Sequence, residues 1–265
     1  MAVPLTGKYP RLTLREPSFA LYSLAFFGII LCRYFVVAGA TYGLLYLLGK
    51  SQAESPPANS WRAMRRDMEL SMLSAGVFAL TAAGVYCAYQ AGMTRLYSDP
   101  DRYGLGYLGL SYGVSLVLQD TFFYFTHRLF HQPALFAWFH QGHHRSRYPT
   151  PWTSFAFDPL EAIVQCLFLI GVVFVLPLHL VTLIAVLMTM TVWAVLTHLG
   201  LEQLPAVFPH HWLGRWLIGP AHHSLHHLKY TQHYGLYFTF WDRQLGTQDP
   251  EYEYLMTDAK PDINA

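Results

Sequence analysis

Long stretches of this chain carry no charge at all, and the polar positions between them are grouped rather than alternating. Residues 19–48 are almost wholly apolar, broken by Arg33. A polar loop, residues 50–69, separates them from a second apolar run at about 70–92. A third run covers about 105–125, with Asp120 near its end. Residues 160–197 form the longest run, broken by Leu176-Pro177-Leu178. A bilayer crossing takes about 20 residues of helix. The first run therefore predicts one tilted helix or a tight hairpin. Arg33 must then snorkel, pair, or occupy the hairpin tip. The last run predicts two crossings, because proline interrupts a helix where Pro177 stands.

This pattern predicts an all-α polytopic integral membrane protein. About four transmembrane helices are expected, with a helical histidine-bearing cap outside the bilayer. Three regions follow: an N-terminal membrane region at 1–104, a catalytic region at 105–250 and a polar tail at 251–265. Residues 1–18 lack the short apolar core of a signal peptide.

Composition agrees with the pattern. Hydrophobic residues make up 53% and charged residues 12% of the 265 positions, against about 25% charged in soluble domains. Mean hydropathy is +0.24. The net charge of +1 gives no case for nucleic acid. The three cysteines, Cys32, Cys87 and Cys166, all lie in apolar runs and read as small buried hydrophobes. Trp138, Trp152, Trp212 and Trp216 read as interface anchors.

Histidine changes the picture. Twelve of the fourteen fall in two windows, 127–144 and 210–233. His127-Arg-Leu-Phe-His131 has i, i+4 spacing, which puts both rings on one helical face. His140-Gln-Gly-His143-His144 has i, i+3, i+4 spacing. His223, His226 and His227 repeat it, with His222 on the side of His226. One such motif arises often by chance; three in so short a chain do not. Eight to ten histidines exceed what one metal takes, so two metals are expected. No cysteine stands nearby for structural zinc, and neutral imidazole suits iron, copper and nickel as well. Ligand type leaves copper open; nitrogen ligands with open positions beside a membrane favour iron and oxygen activation. Because two clusters precede the 160–197 run and one follows it, two crossings there place all three on one membrane face. Arg128, Arg145, Arg147, Arg215, Lys229 and Arg243 lie near the clusters and predict that this face is cytoplasmic.

Asp120 lies two turns before His127 on roughly the same face, a position from which a carboxylate fixes a ligand's tautomer. His198 ends an apolar run, where an unexplained polar group is costly, and reads as a ligand. Glu202, one turn on, either hydrogen-bonds His198 or marks the membrane boundary. Asp242 and Arg243 read as fold-stabilising, and His179, His210 and His211 as structural.

The motifs HRLFH, HQGHH and HHSLHH, in this order around a long apolar run, resemble the fatty acid hydroxylase/sterol desaturase superfamily. The ending GPAHHSLHHLKYTQHYGLYFTFWDRQLGTQ is similar to the superfamily's HHxxHH…YG…WDRxFGT ending, and residues 157–161, Phe-Asp-Pro-Leu-Glu, also match. The resemblance covers roughly 110–250, and its HH doublet and TFWDR stretch look most like the sterol C4-methyl oxidase branch. Two positions depart: His233 stands where members often have Asn, and Leu245 replaces Phe. The resemblance implies a di-iron site, with zinc as a possible substitute, held by His127, His131, His140, His143, His144, His223, His226 and His227. His198 joins them from the membrane helix, and His222 is either a ligand or a neighbour of one.

The implied activity is O2-dependent hydroxylation or desaturation of an unactivated C–H position in a lipid from the bilayer, sterol-like by motif. Fatty acyl chains or carotenoids are the alternative substrates. No dinucleotide, haem or iron–sulfur motif is found, so electrons are expected from a cytochrome b5-like or ferredoxin-like partner. A histidine-rich metal transporter or sensor is the competing class. Its ligands would sit mid-membrane, whereas these clusters sit at helix ends.

Overall fold

The computed structural model describes residues 18–48, 61–200, 211–250 and 252. Nine helices run through these residues: α1 (Phe19–Leu47), α2 (Trp61–Gln90), α3 (Gly104–Phe130), α4 (Pro133–Phe139), α5 (Gln141–His144), α6 (Pro159–Val175), α7 (Leu180–Thr197), α8 (Pro220–Lys229) and α9 (Phe240–Gln244). Two two-residue strands, β1 (Leu96–Tyr97) and β2 (Leu178–His179), pair in parallel. Glu202 and His210 lie outside the described residues.

The local chemistry explains most boundaries. Pro133, Pro159 and Pro220 each open a helix, where the missing N–H is not needed and φ is preset. Ser18 caps α1 by accepting from Leu21 N–H. The residue before Pro177, Leu176, is extended (φ −98°, ψ 126°) and ends α6. The expected break in the 160–197 run is therefore real: α6 and α7 are separate helices joined by a short turn. The first run, by contrast, is one continuous helix of 29 residues. Arg33 occupies no hairpin tip; its guanidinium lies 5.8 Å from the centroid of the Phe155 ring.

Three helices, α1, α2 and α7, are long and apolar enough to cross a membrane, and α6 is a shorter apolar helix. Their outward positions, among them Leu24, Ile29, Leu80, Ile163 and Ile184, remain exposed. So much apolar surface is what lipid, rather than water, covers. Such a chain is an integral membrane protein. α3 carries Ser, Gln and Asp along its buried side and is not among the three.

α1 and α2 pack through small residues, Ala38, Ala75 and Ala79, with Tyr34 between them. Their polar groups then reach sideways. Tyr34 Oη donates to the Trp152 carbonyl at 2.8 Å, and Ser74 Oγ to the Phe155 carbonyl at 2.6 Å. Asp67 accepts from Ser146 Oγ at 2.6 Å and Thr153 Oγ1 at 2.7 Å. The N-terminal pair thus clamps the segment that follows the second histidine motif. Trp152 belongs to this clamp: its ring centroid sits 5.9 Å from that of Tyr34 and 6.0 Å from that of Tyr42. Its ring is half-buried against these tyrosines, whereas Trp138 and Trp212 are exposed.

Candidate metal centre

The histidines converge from four places. α3 carries His127 in its last turn and is capped by His131. His140 is the N-cap of α5, which carries His143 and His144. His198 caps the C-terminus of α7. α8 supplies His223, His226 and His227. Their ring nitrogens form two sets, each within 4.8 Å of one another: His127, His131, His140, His144 and His226, and then His143, His198, His223 and His227.

The division has a helical cause. Residues four apart differ by about 40° around a helix, and residues three apart by about 60° the other way. So His140 and His144 fall in one set while His143 falls in the other, and His223 and His227 leave His226 across the divide. Each HxxHH motif is not a one-sided ligand set but serves both subsites.

Hydrogen bonds fix the rings. His127 Nδ1–H donates to the Tyr234 carbonyl (3.0 Å), His143 Nδ1–H to Ala156 (3.2 Å), His198 Nδ1–H to Ala194 (2.6 Å) and His226 Nδ1–H to Gln232 (2.7 Å). A carbonyl only accepts, so in each neutral ring Nε2 carries the lone pair. His140 Nδ1 meets the Glu161 carboxylate at 2.7 Å. The bare Nε2 atoms then face each other: His127 to His140 at 2.9 Å, and His143 to His198 at 3.5 Å. His223 Nε2 lies 3.0 Å from that of His198 and 3.1 Å from that of His227. Lone pairs at such distances repel unless a cation sits among them. His131 Nε2 is buried with no hydrogen-bond partner. The donor set fits two metal ions that favour imidazole.

Burial keeps these rings neutral. It holds His140, His144, His223, His226 and His227 well below the ordinary histidine pKa, and neighbouring histidines add to the effect. Burial also lowers His143 to about 4 and, with His143 as a neighbour, His131 to about 3. Neutral imidazole is the metal-binding form.

Two expected roles are not what the geometry gives. His222 belongs to neither set. Its Nδ1 accepts Gly219 N–H at 3.3 Å, reaching back to cap α8, and its ring stacks on Tyr252 at 3.8 Å. That cap pulls it away from His226 despite the i, i+4 spacing. Among the described residues Asp120 hydrogen-bonds to no histidine. Its Oδ1 accepts Leu236 N–H (3.3 Å), Tyr237 N–H (2.7 Å) and Phe238 N–H (3.1 Å). The carboxylate is consumed by backbone donors that α9's approach brings within reach.

Asp120 therefore acts on the segment that contains Tyr234, as does Asp242. Asp242 accepts from Tyr234 N–H and Gly235 N–H, each at 2.9 Å, and from Thr247 Oγ1 at 2.7 Å. A Cβ on Gly235 would stand 2.7 Å from the Phe238 carbonyl oxygen, which explains the glycine of the Tyr-Gly motif. His233 has φ +60°, a region that asparagine tolerates well. Histidine meets that demand here. His179 is structural: Nδ1 caps Val181 N–H and Nε2 donates to the Ser98 carbonyl. His211 Nδ1 accepts Leu213 N–H.

Fold and site together define a membrane protein with two adjoining nitrogen-rich metal subsites at the ends of its apolar helices. The fatty acid hydroxylase family matches residues 112–247, more than half of the chain, and the chain belongs to that family. It is an oxidoreductase of that family. Among its relatives is a Delta(7)-sterol 5(6)-desaturase of Gibberella zeae, 28% identical over 90% of this chain and 71% of its own. Lathosterol oxidase of Homo sapiens is 29% identical over 68% of this chain and 59% of its own. Lathosterol oxidase of Rattus norvegicus is 30% identical over 67% and 58%. These relatives overturn the leaning toward the C4-methyl oxidase branch. His223, His226 and His227 belong to the metal-ligating sets and Asp242 of the TFWDR stretch holds the backbone of Tyr234 and Gly235, so these motifs carry no information on which carbon is attacked. No solved structure matches the chain.

Proposed function

We propose that the chain is a di-iron sterol desaturase that removes two hydrogens from adjacent ring carbons, as the names of its sterol desaturase relatives indicate for them. The carrying observation is the pair of facing, unprotonated Nε2 sets buried at the ends of α3 and α7. Bound iron would supply oxygen activation and hydrogen abstraction. Overall, one O2, two electrons and two protons take two hydrogens from the substrate and leave as two waters.

The protein's own part is placement. Carbonyls of Tyr234, Ala156, Ala194 and Gln232 hold imidazole N–H groups so that lone pairs point inward. Burial excludes water from the reacting region. The site lies where apolar helices end, so an amphipathic lipid reaches it from the bilayer with its polar end outward. The basic residues around the site support a cytoplasmic orientation. Electrons come from a separate membrane-associated or soluble carrier of the cytochrome b5 or ferredoxin type.

The test is turnover in vesicles with a reductase, an electron carrier, a Δ7-sterol and isotopically labelled oxygen. The expected product has lost two hydrogens and carries no label. A labelled alcohol would move the reaction to hydroxylation. Turnover of fatty acyl chains with none of sterols would refute the substrate class.

A further inference from the structure

Glu161 is fully buried in the first turn of α6, and its Oε2 lies 2.7 Å from His140 Nδ1. Among the described residues it is the one carboxylate hydrogen-bonded to the ring of a histidine of either set. Backbone carbonyls serve the same purpose for His127, His143, His198 and His226. A carbonyl orients a ring; a carboxylate also brings a full negative charge, which makes the imidazole a stronger donor. Burying that charge is expensive unless a cation balances it. A dication held by His140 Nε2 would supply the balance. The N-terminal end of α6 adds a smaller favourable field.

Resting on the di-metal reading above, we propose that Glu161 is a positioning residue that makes the two subsites unequal. Through His140 it strengthens the subsite of His127, His131, His140, His144 and His226. In the subsite of His143, His198, His223 and His227 no described carboxylate bonds a ligand ring, Asp158 reaching only the backbone at Gly142 and His143, and this subsite binds metal more weakly or with a different ligand field.

The experiment titrates the metal-stripped full-length protein in detergent with Co(II), read by calorimetry and visible absorption. Wild type should take two ions. Substitution of the residue behind a ligand histidine typically costs 10–100-fold in affinity. Glu161→Gln keeps an acceptor but loses the charge, and should weaken one site about tenfold, with a changed absorption band. Glu161→Leu keeps the volume and loses the acceptor, and should weaken the same site toward 100-fold. The other site should stay within about twofold of wild type. Glu161→Gln with both affinities and both bands unchanged would overturn the proposal, as would equal weakening of the two sites. If Glu161→Leu does not fold, the Gln variant decides alone. Wild type binding fewer than two ions would refute the di-metal reading itself, whatever the variants do.

Discussion

Asp120→Ala should be among the most damaging single changes that leave every histidine in place. One oxygen, Oδ1, accepts from Leu236, Tyr237 and Phe238. The bonds to Tyr237 (2.7 Å) and Phe238 (3.1 Å) are well made; that to Leu236 is long at 3.3 Å. Alanine leaves two good donors without an acceptor, at about 1–3 kcal/mol each, or roughly 2–6 kcal/mol together. Most substitutions cost about 0.5–3 kcal/mol. Asp120→Asn is the control. It keeps Oδ1 and all three bonds and loses only the charge, worth roughly 1 kcal/mol for each short bond. The damage also travels: Tyr234, two residues before this segment, holds His127 through its carbonyl. Denaturant unfolding in micelles, with metal content measured by mass spectrometry, should rank wild type above Asp120→Asn above Asp120→Ala for both stability and retained metal. An alanine variant within 0.5 kcal/mol of wild type, or equal to the asparagine variant, would refute this account.

Three further outcomes are expected. The metal-stripped protein should lose stability as pH falls from about 6.5 toward 4. Burial depresses the folded pKa of His143 to about 4 and His131 to about 3, so the unfolded chain takes up protons that the folded chain refuses. Thermal melting across that range checks the sign, and a flat profile would contradict it. Gly142→Ala should reduce metal content and cost about 1–3 kcal/mol, because the new Cβ would come within 2.8 Å of Asp158 Cγ. Asp158 Oδ2 also accepts Gly142 N–H at 2.6 Å, so the shift reaches His143 directly. His222→Ala should keep two metals while His223→Ala loses one; equal loss in elemental analysis would put His222 back among the ligands.

Sequence by itself determined the apolar runs, the break at Pro177 and the residues able to bind metal, because each depends on local spacing and composition. The i, i+4 pairs His127/His131 and His223/His227 do share a subsite, as their helical offset requires. The split of each HxxHH motif follows from the same geometry, but only once the metals' positions are known. Asp120, His222 and Glu161 were decided by tertiary structure. A carboxylate has several possible donors, and spacing to His127 says nothing of the backbone N–H groups that arrive from more than a hundred residues later. His222 has the spacing of a ligand, yet helix capping and Tyr252 turn its ring aside. Glu161 reads in sequence as a helix-start acid three residues after Asp158, and only the packing of α6 against α5's N-cap brings it to His140. Local spacing selects which groups can act together. Long-range packing selects which partner each one meets, because a buried polar group takes the partner the fold delivers.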